Sequence, residues 1–192
     1  GFTDNIIVDG TVYFKNVDLR DAFTNNVFGG GIKGTLTFEH EDADFSKNAI
    51  LNGSGDFSIQ RDGYSDQTVY FSKNLFSGNR SGSYLRHGTG NNGQTNLSTT
   101  LNNMINNDGF YIKAGYGENS SVENNWWGTT TESEIQAMVY DWNDDASLGF
   151  LDYDPYLTAP STLAPVSPPK NVKKSPTSYG TKVSWDANPE AD

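Results

Sequence analysis

The chain has 192 residues, no cysteine, and 24 acidic against 13 basic residues, which gives a formal net charge of −11 at pH 7. The lack of cysteine excludes a disulfide framework and a thiolate zinc site, and the acidic excess argues against nucleic acid as the main partner. Only 34% of the residues are hydrophobic and 20 are glycine, so the composition favours a turn-rich β architecture over a helix bundle. The sequence contains no apolar run long enough to predict a membrane span.

A short motif, an aromatic or apolar residue followed by x-x-Asn-x-apolar, recurs along the first 128 residues. Copies of it begin at Phe2, Phe23, Phe45, Phe71, Thr100 and Val122. Its asparagines are Asn5, Asn26, Asn48, Asn74, Asn103 and Asn125, which are separated by 21, 22, 26, 29 and 22 residues. Periods of this length are typical of solenoid proteins, in which each repeat forms one coil.

A second strand-like stretch lies between successive asparagines. These stretches are Val12–Phe14, Leu36–Phe38, Phe57–Ile59, Tyr84–Leu85 and Phe110–Ile112. Apolar and polar residues alternate in them, and Gly, Asn and Asp mark the breaks, as expected for strands and turns. The sequence therefore predicts an all-β solenoid whose parallel strands stack about 4.8 Å apart from coil to coil.

The repeated asparagine has a physical role in such a stack. At one corner of successive coils, its side-chain amide donates to and accepts from its neighbours, and Asn tolerates the left-handed backbone of a sharp corner. We therefore predict a structural asparagine ladder, with the flanking apolar residues stacked inside the coils.

Residues 129–160 differ in composition from the repeats and predict a cap. Thr131 and Glu134 form a capping-box pattern, and the apolar residues Ile135, Met138, Val139 and Trp142 follow at helical spacing. This pattern predicts an amphipathic helix from about Glu132 to Trp142 over the open end of the last coil, with Trp126 and Trp127 beneath it.

Three stretches carry a family resemblance: Asn124-Asn-Trp-Trp-Gly128, Tyr140-Asp-Trp-Asn-Asp-Asp145 and Leu151-Asp-Tyr-Asp-Pro-Tyr-Leu157. Together they resemble the closing segment of secreted right-handed parallel β-helix repeat proteins of the pectin-lyase-like and NosD-like class. The resemblance covers roughly residues 1 to 160. It implies a right-handed parallel β-helix, an extracellular location and frequently a carbohydrate ligand, and many members of the class bind or scaffold without catalysis.

The C-terminal part of the chain predicts a linker and a second, incomplete domain. Residues 161–169 are proline-rich and predict a semi-rigid linker. Residues 170–192 resemble the first two strands of a fibronectin type III module, with Trp185 at the position of its core tryptophan. Because so short a piece cannot bury Trp185, we expect it to be loosely held or packed on a neighbour. The predicted division is coils at 1–128, a cap at 129–160, the linker, and the truncated module.

The start of the chain at Gly1, with neither an initiator methionine nor a signal peptide, predicts a piece of a longer protein. The expected partners are upstream β-helix coils and downstream fibronectin-like domains of the same parent chain, and the expected location is secreted or on the cell surface.

A basic stripe is the first candidate binding feature. It comprises Lys15, Lys33, Arg61, Arg86 and Lys113, most of which follow an apolar residue of the second strand. Like charges about 5 Å apart repel by roughly 0.8 kcal/mol even in bulk water, so such a ladder predicts an anionic partner, for example a polyuronate or a sulfated glycan. The alternative is that variation in loop length scatters these residues and that nearby carboxylates pair with them.

Aromatic side chains are the second candidate. The tyrosines concerned are Tyr64, Tyr70, Tyr84, Tyr111 and Tyr116. Exposed rings would be platforms for sugar rings, and the alternative is a packing role with a solvated hydroxyl. The predicted glycan-binding residues are Lys15, Arg61, Arg86, Lys113, Tyr84 and Tyr111.

The sequence predicts no cofactor, and calcium is the alternative that it leaves open. Asp141, Asn143 and Asp145 place oxygen ligands at alternate positions as in an EF-hand loop, and Asp152 stands at the twelfth position. A bound cation would also relieve an acidic helix C-terminus. Against this, Ala146 occupies the position where an EF-hand loop has glycine.

Three functions fit the sequence. The leading hypothesis is a non-catalytic extracellular glycan-binding or structural β-helix rod. The second is a polysaccharide lyase or glycoside hydrolase for an acidic polysaccharide, which would use Arg61 and Arg86, although the sequence shows no catalytic triad. The third is a purely structural spacer or adhesin stalk.

Overall fold

The computed structural model of the chain is predominantly β, and most of its strand pairs are parallel. The residues described are 1–19, 22–39, 43–54, 56–62, 68–80, 84–87, 96–109, 111–116, 119–188 and 190. The expected all-β class and the parallel pairing are therefore confirmed.

Three parallel sheets contain most of the strands, which are numbered along the chain. The first sheet consists of Phe2–Thr3 (β1), Ala22–Thr24 (β4), Ala43–Ser46 (β7), Thr68–Ser72 (β10) and Asn96–Thr100 (β13). The second sheet consists of Ile6–Ile7 (β2), Val27–Phe28 (β5), Ala49–Leu51 (β8), Leu75–Ser77 (β11) and Asn103–Ile105 (β14). The third sheet consists of Val12–Leu19 (β3), Ile32–Glu39 (β6), Asp56–Asp62 (β9), Tyr84–His87 (β12), Tyr111–Ala114 (β15) and Val139–Tyr140 (β17).

Each sheet takes every third strand of the repeat region, so the chain visits the three sheets in turn before it begins the next repeat. The sequence pattern predicts one strand at the motif and one between motifs. The motif in fact contains two short strands, one on each side of the asparagine, because the chain turns a corner there.

The core is built on rings that lie in register. Phe2, Phe23, Phe45 and Phe71 occupy paired positions of the first sheet, and their ring centroids are 5.0, 4.8 and 4.9 Å apart. This separation equals the distance between neighbouring strands, so identical residues at one register position stack without adjusting the backbone. The stack ends at Thr99, which pairs with Phe71.

The cap helix is shorter than the periodicity predicted. The helix (α1) spans Glu132–Gln136, and β17 then pairs with β15 through Val139 and Ile112. Ile135 and Val139 are buried as expected, whereas Trp142 is 48% exposed. The prediction of a helix to Trp142 is wrong because pairing with the third sheet overrides the helical periodicity after Gln136.

The predicted capping box is also absent from this helix. The Thr131 side chain makes no capping hydrogen bond, and the Glu134 carboxylate accepts one from the Thr129 hydroxyl instead. Trp127 is buried in the main core together with Ile135, while Trp126 is only partly buried, against a smaller apolar cluster.

The tail that follows the cap runs along the last motif. Ser120–Ser121 (β16) pairs in parallel with Leu151–Asp152 (β18). Further along, the Asn124 amide donates to the Pro155 carbonyl at 2.6 Å, and the Leu157 amide donates to the Asn125 carbonyl at 3.0 Å. Residues 151–157 therefore cover the C-terminal side of the last motif.

The proline-rich segment packs against its surroundings. Ser161, Ala164 and Ser167 are buried, and the Ser167 hydroxyl and amide both donate to the carboxylate of Glu190 at 2.8 Å. Lys170–Thr177 (β19) and Gly180–Asp186 (β20) then form an antiparallel hairpin. The hairpin residues are exposed, and Trp185 keeps 59% of its surface in solvent.

Candidate functional site

An asparagine ladder runs along the corner between the first and second sheets. Its members are Asn5, Asn26, Asn48, Asn74, Asn102 and Asn125. In every step the backbone N–H and the Nδ2 of one asparagine donate to the Oδ1 of the next, over 2.9–3.1 Å. The bonds between ladder asparagines are therefore directional, because each Oδ1 accepts from the preceding asparagine, while Nδ2 also donates to a phenylalanine carbonyl of the preceding repeat at Asn26, Asn48, Asn74 and Asn102.

The fifth member of the ladder is Asn102, and the expectation of Asn103 is corrected. Asn74 lies three residues after Phe71. Because Thr99 pairs with Phe71, the equivalent residue of the next repeat is Asn102, three residues after Thr99. Asn103 belongs instead to β14. Its Oδ1 accepts from the Ser161 amide at 2.7 Å and its Nδ2 donates to the Ser161 carbonyl at 3.0 Å, so it clamps the proline-rich segment.

The left-handed backbone lies one residue before each ladder asparagine, not at the asparagine itself as expected. The residues concerned, with φ between 55° and 60°, are Asp4, Asn25, Lys47, Lys73, Leu101 and Asn124. The preceding residue makes the sharp turn, which leaves the ladder residue free to aim its amide along the stack. Leu101 is the least suited to this conformation, since its side chain forms no local hydrogen bond.

A second, shorter ladder occupies the corner that follows the second sheet, and the repeat motif did not predict it. The Gly53 amide donates to Asn79 Oδ1 at 2.8 Å, and both the amide and Nδ2 of Asn79 donate to Asn107 Oδ1 at 3.0 Å. The pattern that would have revealed it is an asparagine five residues after Asn74 and another five after Asn102. Glycine stands at this position in earlier repeats, which hides the periodicity.

The third sheet brings four of the predicted glycan-binding residues together. Tyr84 pairs with Tyr111, and Arg86 pairs with Lys113 on the same two strands. Members of each strand are two residues apart, so the four positions belong to one face of the sheet, opposite the fully buried Ile112. Two aromatic and two basic positions are thus neighbours.

The basic pair is extended by a tyrosine on the next strand. Lys113 pairs with Tyr140, and its Nζ lies 4.8 Å from the centre of the Tyr140 ring, a cation–π contact. The positive charge of Lys113 also acts on the Asp145 carboxylate. The cation therefore lies between an aromatic ring and an acidic loop.

The register does not place Lys33 in line with this pair, and it leaves the position of Lys15 undefined. Lys33 pairs with Tyr13, so its register position is the one that Tyr84 and Tyr111 occupy in β12 and β15, two residues before Arg86 and Lys113. Lys15 lies in an irregular stretch directly after Phe14, where the register of β3 shifts against β6. A bulge of this kind places two residues opposite one and breaks the column.

Arg61 is also separate from the basic pair. Arg86 is paired with Ser58, and Arg61 lies three residues further along β9, opposite Phe38. Three residues correspond to about 10 Å along a strand and to the other face. Of the remaining tyrosines, Tyr70 and Tyr116 are 45% and 67% exposed, and Tyr64 lies outside the described residues.

The predicted calcium ligands have partners within their own loop. Asp141 is 2% exposed, and its Oδ1 accepts from the amide and Nδ2 of Asn143 at 3.0 and 3.1 Å. Its Oδ2 accepts from the Leu151 amide at 3.1 Å. These bonds assign Asp141 a structural role in closing the loop from residue 141 to residue 151.

The other two acidic candidates form local turns. Asp145 Oδ1 accepts from the amide and hydroxyl of Ser147, and these hydrogen bonds lower the pKa of the Asp145 carboxyl. Asp152 Oδ1 accepts from the Asp154 amide at 3.2 Å. Within the part of the chain that the structure describes, no three acidic, histidine or cysteine side chains are grouped closely enough to hold a metal ion.

A cleft of about 410 Å³ lies beside the cap helix, and no sequence motif indicated it. It is lined by Glu132, Leu151, Asp152, Tyr153, Asp154 and Tyr156. Burial, and next the negative charge of Glu132, raise the pKa of the Tyr153 phenol. The accumulated negative charge makes this cleft unfavourable for anionic ligands.

Comparisons with known proteins add no assignment. Among the described residues, no helix is long and apolar enough to cross a membrane. No protein-family model, curated protein or solved structure matches the chain.

Proposed function

We propose that residues 1–160 form a right-handed parallel β-helix of the pectin-lyase-like and NosD-like type. Three parallel sheets that each take every third strand support this fold, as does the stack of phenylalanine rings in register. The asparagine ladder supports it further, because a bond from each repeat to the next requires successive turns of one winding chain.

The rod continues, in this proposal, into further coils at its N-terminal end. The ladder gives each oxygen two donors from the preceding asparagine, and among the described residues Asn5 Oδ1 receives none. The opposite end is covered by residues 151–157. Upstream coils of the same parent chain would supply both donors to Asn5.

The hairpin of β19 and β20 is, in this proposal, the opening of a fibronectin type III-like module. An isolated two-stranded hairpin is marginally stable in water, and Trp185 remains 59% exposed on it. Further strands of such a module would bury this tryptophan. A rod followed by such modules is an arrangement suited to a secreted or cell-surface protein.

The function that this geometry supports best is non-catalytic binding of an acidic glycan on the third sheet. The carrying observation is the register of β12 and β15, which places Tyr84 beside Tyr111 and Arg86 beside Lys113. Aromatic positions suit sugar rings, and basic positions on neighbouring strands, about 4.8 Å apart, suit successive carboxylates or sulfates. Bound anions would remove the repulsion between the two cations.

The test is a binding screen of the 192-residue chain against polygalacturonate, alginate and heparin oligosaccharides, with the absorbance of unsaturated products read in parallel. Arg86→Ala and Lys113→Ala should each weaken binding about tenfold, since each removes one charge-assisted contact. Lys47→Ala, an exposed lysine at the ladder corner, is the matched control and should bind like the parent chain.

Each other result contradicts the proposal. Product formation would show a lyase, and a gain of reducing ends without absorbance would show a hydrolase. If the chain bound none of the three glycans, the hypothesis of a purely structural spacer would remain. Equal losses in the variants of Arg86 and Lys47 would show nonspecific charge attraction.

A further inference from the structure

A pair of exposed aromatic rings stands on the loop between β17 and β18. Trp142 and Phe150 are 48% and 42% exposed, and their ring centroids are 5.0 Å apart with an interplanar angle of 31°. Burial of a large ring stabilises a protein by roughly 1.5–3 kcal/mol, so two adjacent half-exposed rings form an apolar surface that gains from being covered by a ligand.

The loop holds these rings in place through one buried carboxylate. Asp141 immediately precedes Trp142, and its Oδ2 accepts from the amide of Leu151, which immediately follows Phe150. The Trp142 amide in turn donates to the Gly149 carbonyl at 3.0 Å. Both ends of the loop are therefore fixed, and a ligand finds the ring pair already assembled, which lowers the entropic cost of binding.

The loop that carries the rings is acidic, and the cation recorded near it is Lys113, whose charge acts on Asp145. Residues 141–154 contain Asp141, Asp144, Asp145, Asp152 and Asp154 and no lysine, arginine or histidine. Asp144 and Asp145 follow Trp142 within three residues, and each has one carboxylate oxygen that accepts no hydrogen bond from a described residue. These oxygens are acceptors for a positively charged donor group.

The indole N–H of Trp142 is a hydrogen-bond donor, which the carboxylates are not. Among the described residues it has no recorded acceptor, although Asp144 and Asp145 follow Trp142 closely in the same loop. A lysine or arginine side chain offers only donors and would leave this N–H unused. A sugar ring offers hydroxyl oxygens as acceptors as well as an apolar C–H face for stacking.

We propose that Trp142 and Phe150 form a binding site for a glycan whose sugars carry protonated amines, such as a glucosamine oligomer. The C–H face of one sugar stacks on the outer face of Trp142, its ammonium group donates to Asp144 or Asp145, and a hydroxyl accepts from the indole. The loop supplies only negative charges to a ligand on the rings, so this site favours a cationic glycan, unlike the site proposed at Arg86 and Lys113.

Isothermal titration of the 192-residue chain with a glucosamine hexamer tests this site, at a pH where the amines are protonated. Trp142→Ala and the double variant of Asp144→Asn with Asp145→Asn should each weaken binding about tenfold. Tyr179→Ala is the matched control, because Tyr179 is fully exposed on the hairpin. It should bind like the parent chain.

Two further ligands separate the contributions. The N-acetylated hexamer has the same rings without the charge and should bind about tenfold more weakly, and a lysine pentapeptide should bind more weakly still. Equal affinity for the acetylated hexamer, tighter binding of the pentapeptide, or no binding of the glucosamine hexamer would overturn the proposal. Unchanged binding in Trp142→Ala would overturn it too. Phe150→Ala provides a second aromatic variant if Trp142→Ala fails to fold.

Discussion

The side-chain oxygen of Asn48 accepts two hydrogen bonds from Asn26, one from its backbone N–H at 3.0 Å and one from its Nδ2 at 2.9 Å. Asn48 in turn donates to Asn74 and to the Phe23 carbonyl. One fully buried side chain thus connects three successive repeats.

Asn48→Ala should therefore lower the free energy of unfolding by about 3 kcal/mol or more, because it leaves several buried donors and acceptors unpaired. Urea denaturation measures the loss. Asn5→Ala, at the partly exposed end of the same ladder, should cost only about 1 kcal/mol. Equal losses at the two positions would contradict the buried ladder as the source of stability.

Leu101→Asn should stabilise the chain by about 0.5–1 kcal/mol. Leu101 has φ of 60°, a region in which leucine is strained and in which asparagine is tolerated, as Asn25 and Asn124 show at equivalent positions. The midpoint of thermal unfolding measures the gain. Leu163→Asn, at an exposed position outside the left-handed region, is the control and should give no gain.

Asn103→Ala should release the proline-rich segment. The two hydrogen bonds to Ser161 are buried, so the amide of Ser161 should exchange with deuterium about tenfold faster or more in the variant. Amides of the first sheet, such as that of Phe45, serve as the internal control. Unchanged exchange at Ser161 would show that its burial alone protects the segment.

Acid unfolding should depend on Asp145. Its folded pKa lies below the ordinary value of 3.8, so the charged carboxylate stabilises the native state above that value. This contribution is lost as the pH falls through the folded pKa. Asp145→Asn should therefore lose less stability than the parent chain as the pH falls below about 4. Parallel curves for Asp145→Asn and the parent chain would refute this.

Calcium should leave thermal unfolding unchanged. The Asp141 carboxylate already accepts three hydrogen bonds from its own loop, and an ion would have to displace them. The measurement is the unfolding midpoint in millimolar CaCl₂ and in EDTA. A rise with calcium that Asp141→Asn abolishes would restore the EF-type interpretation of Asp141, Asn143, Asp145 and Asp152.

The sequence was sufficient to predict the all-β class and the asparagine spacing, because ring and amide recur at fixed distances from each other. It did not distinguish Asn102 from Asn103, since two asparagines are adjacent there and only the register of Thr99 with Phe71 decides between them. Pairing with Ile112 likewise ended the helix earlier than its periodicity indicated.

The basic residues show a different limit of sequence patterns. Arg86 and Lys113 are neighbours because β12 and β15 pair without interruption, whereas the register of β3 against β6 shifts after Phe14, at Lys15. The contact between Trp142 and Phe150 was not predicted. Trp142 fitted the periodicity of the predicted helix, and Phe150 lies in a stretch without a repeating pattern.

The one-way orientation of the ladder also limits how the chain assembles with itself. In the isolated 192-residue chain, two molecules that met at their N-terminal ends would bring one Asn5 Oδ1 against another, a contact of two acceptors without a proton between them. Such a two-fold dimer would gain no ladder bond, and a head-to-tail fibre is obstructed by residues 151–157. Amide chemistry along this corner thus discourages polymerisation of exposed strand edges.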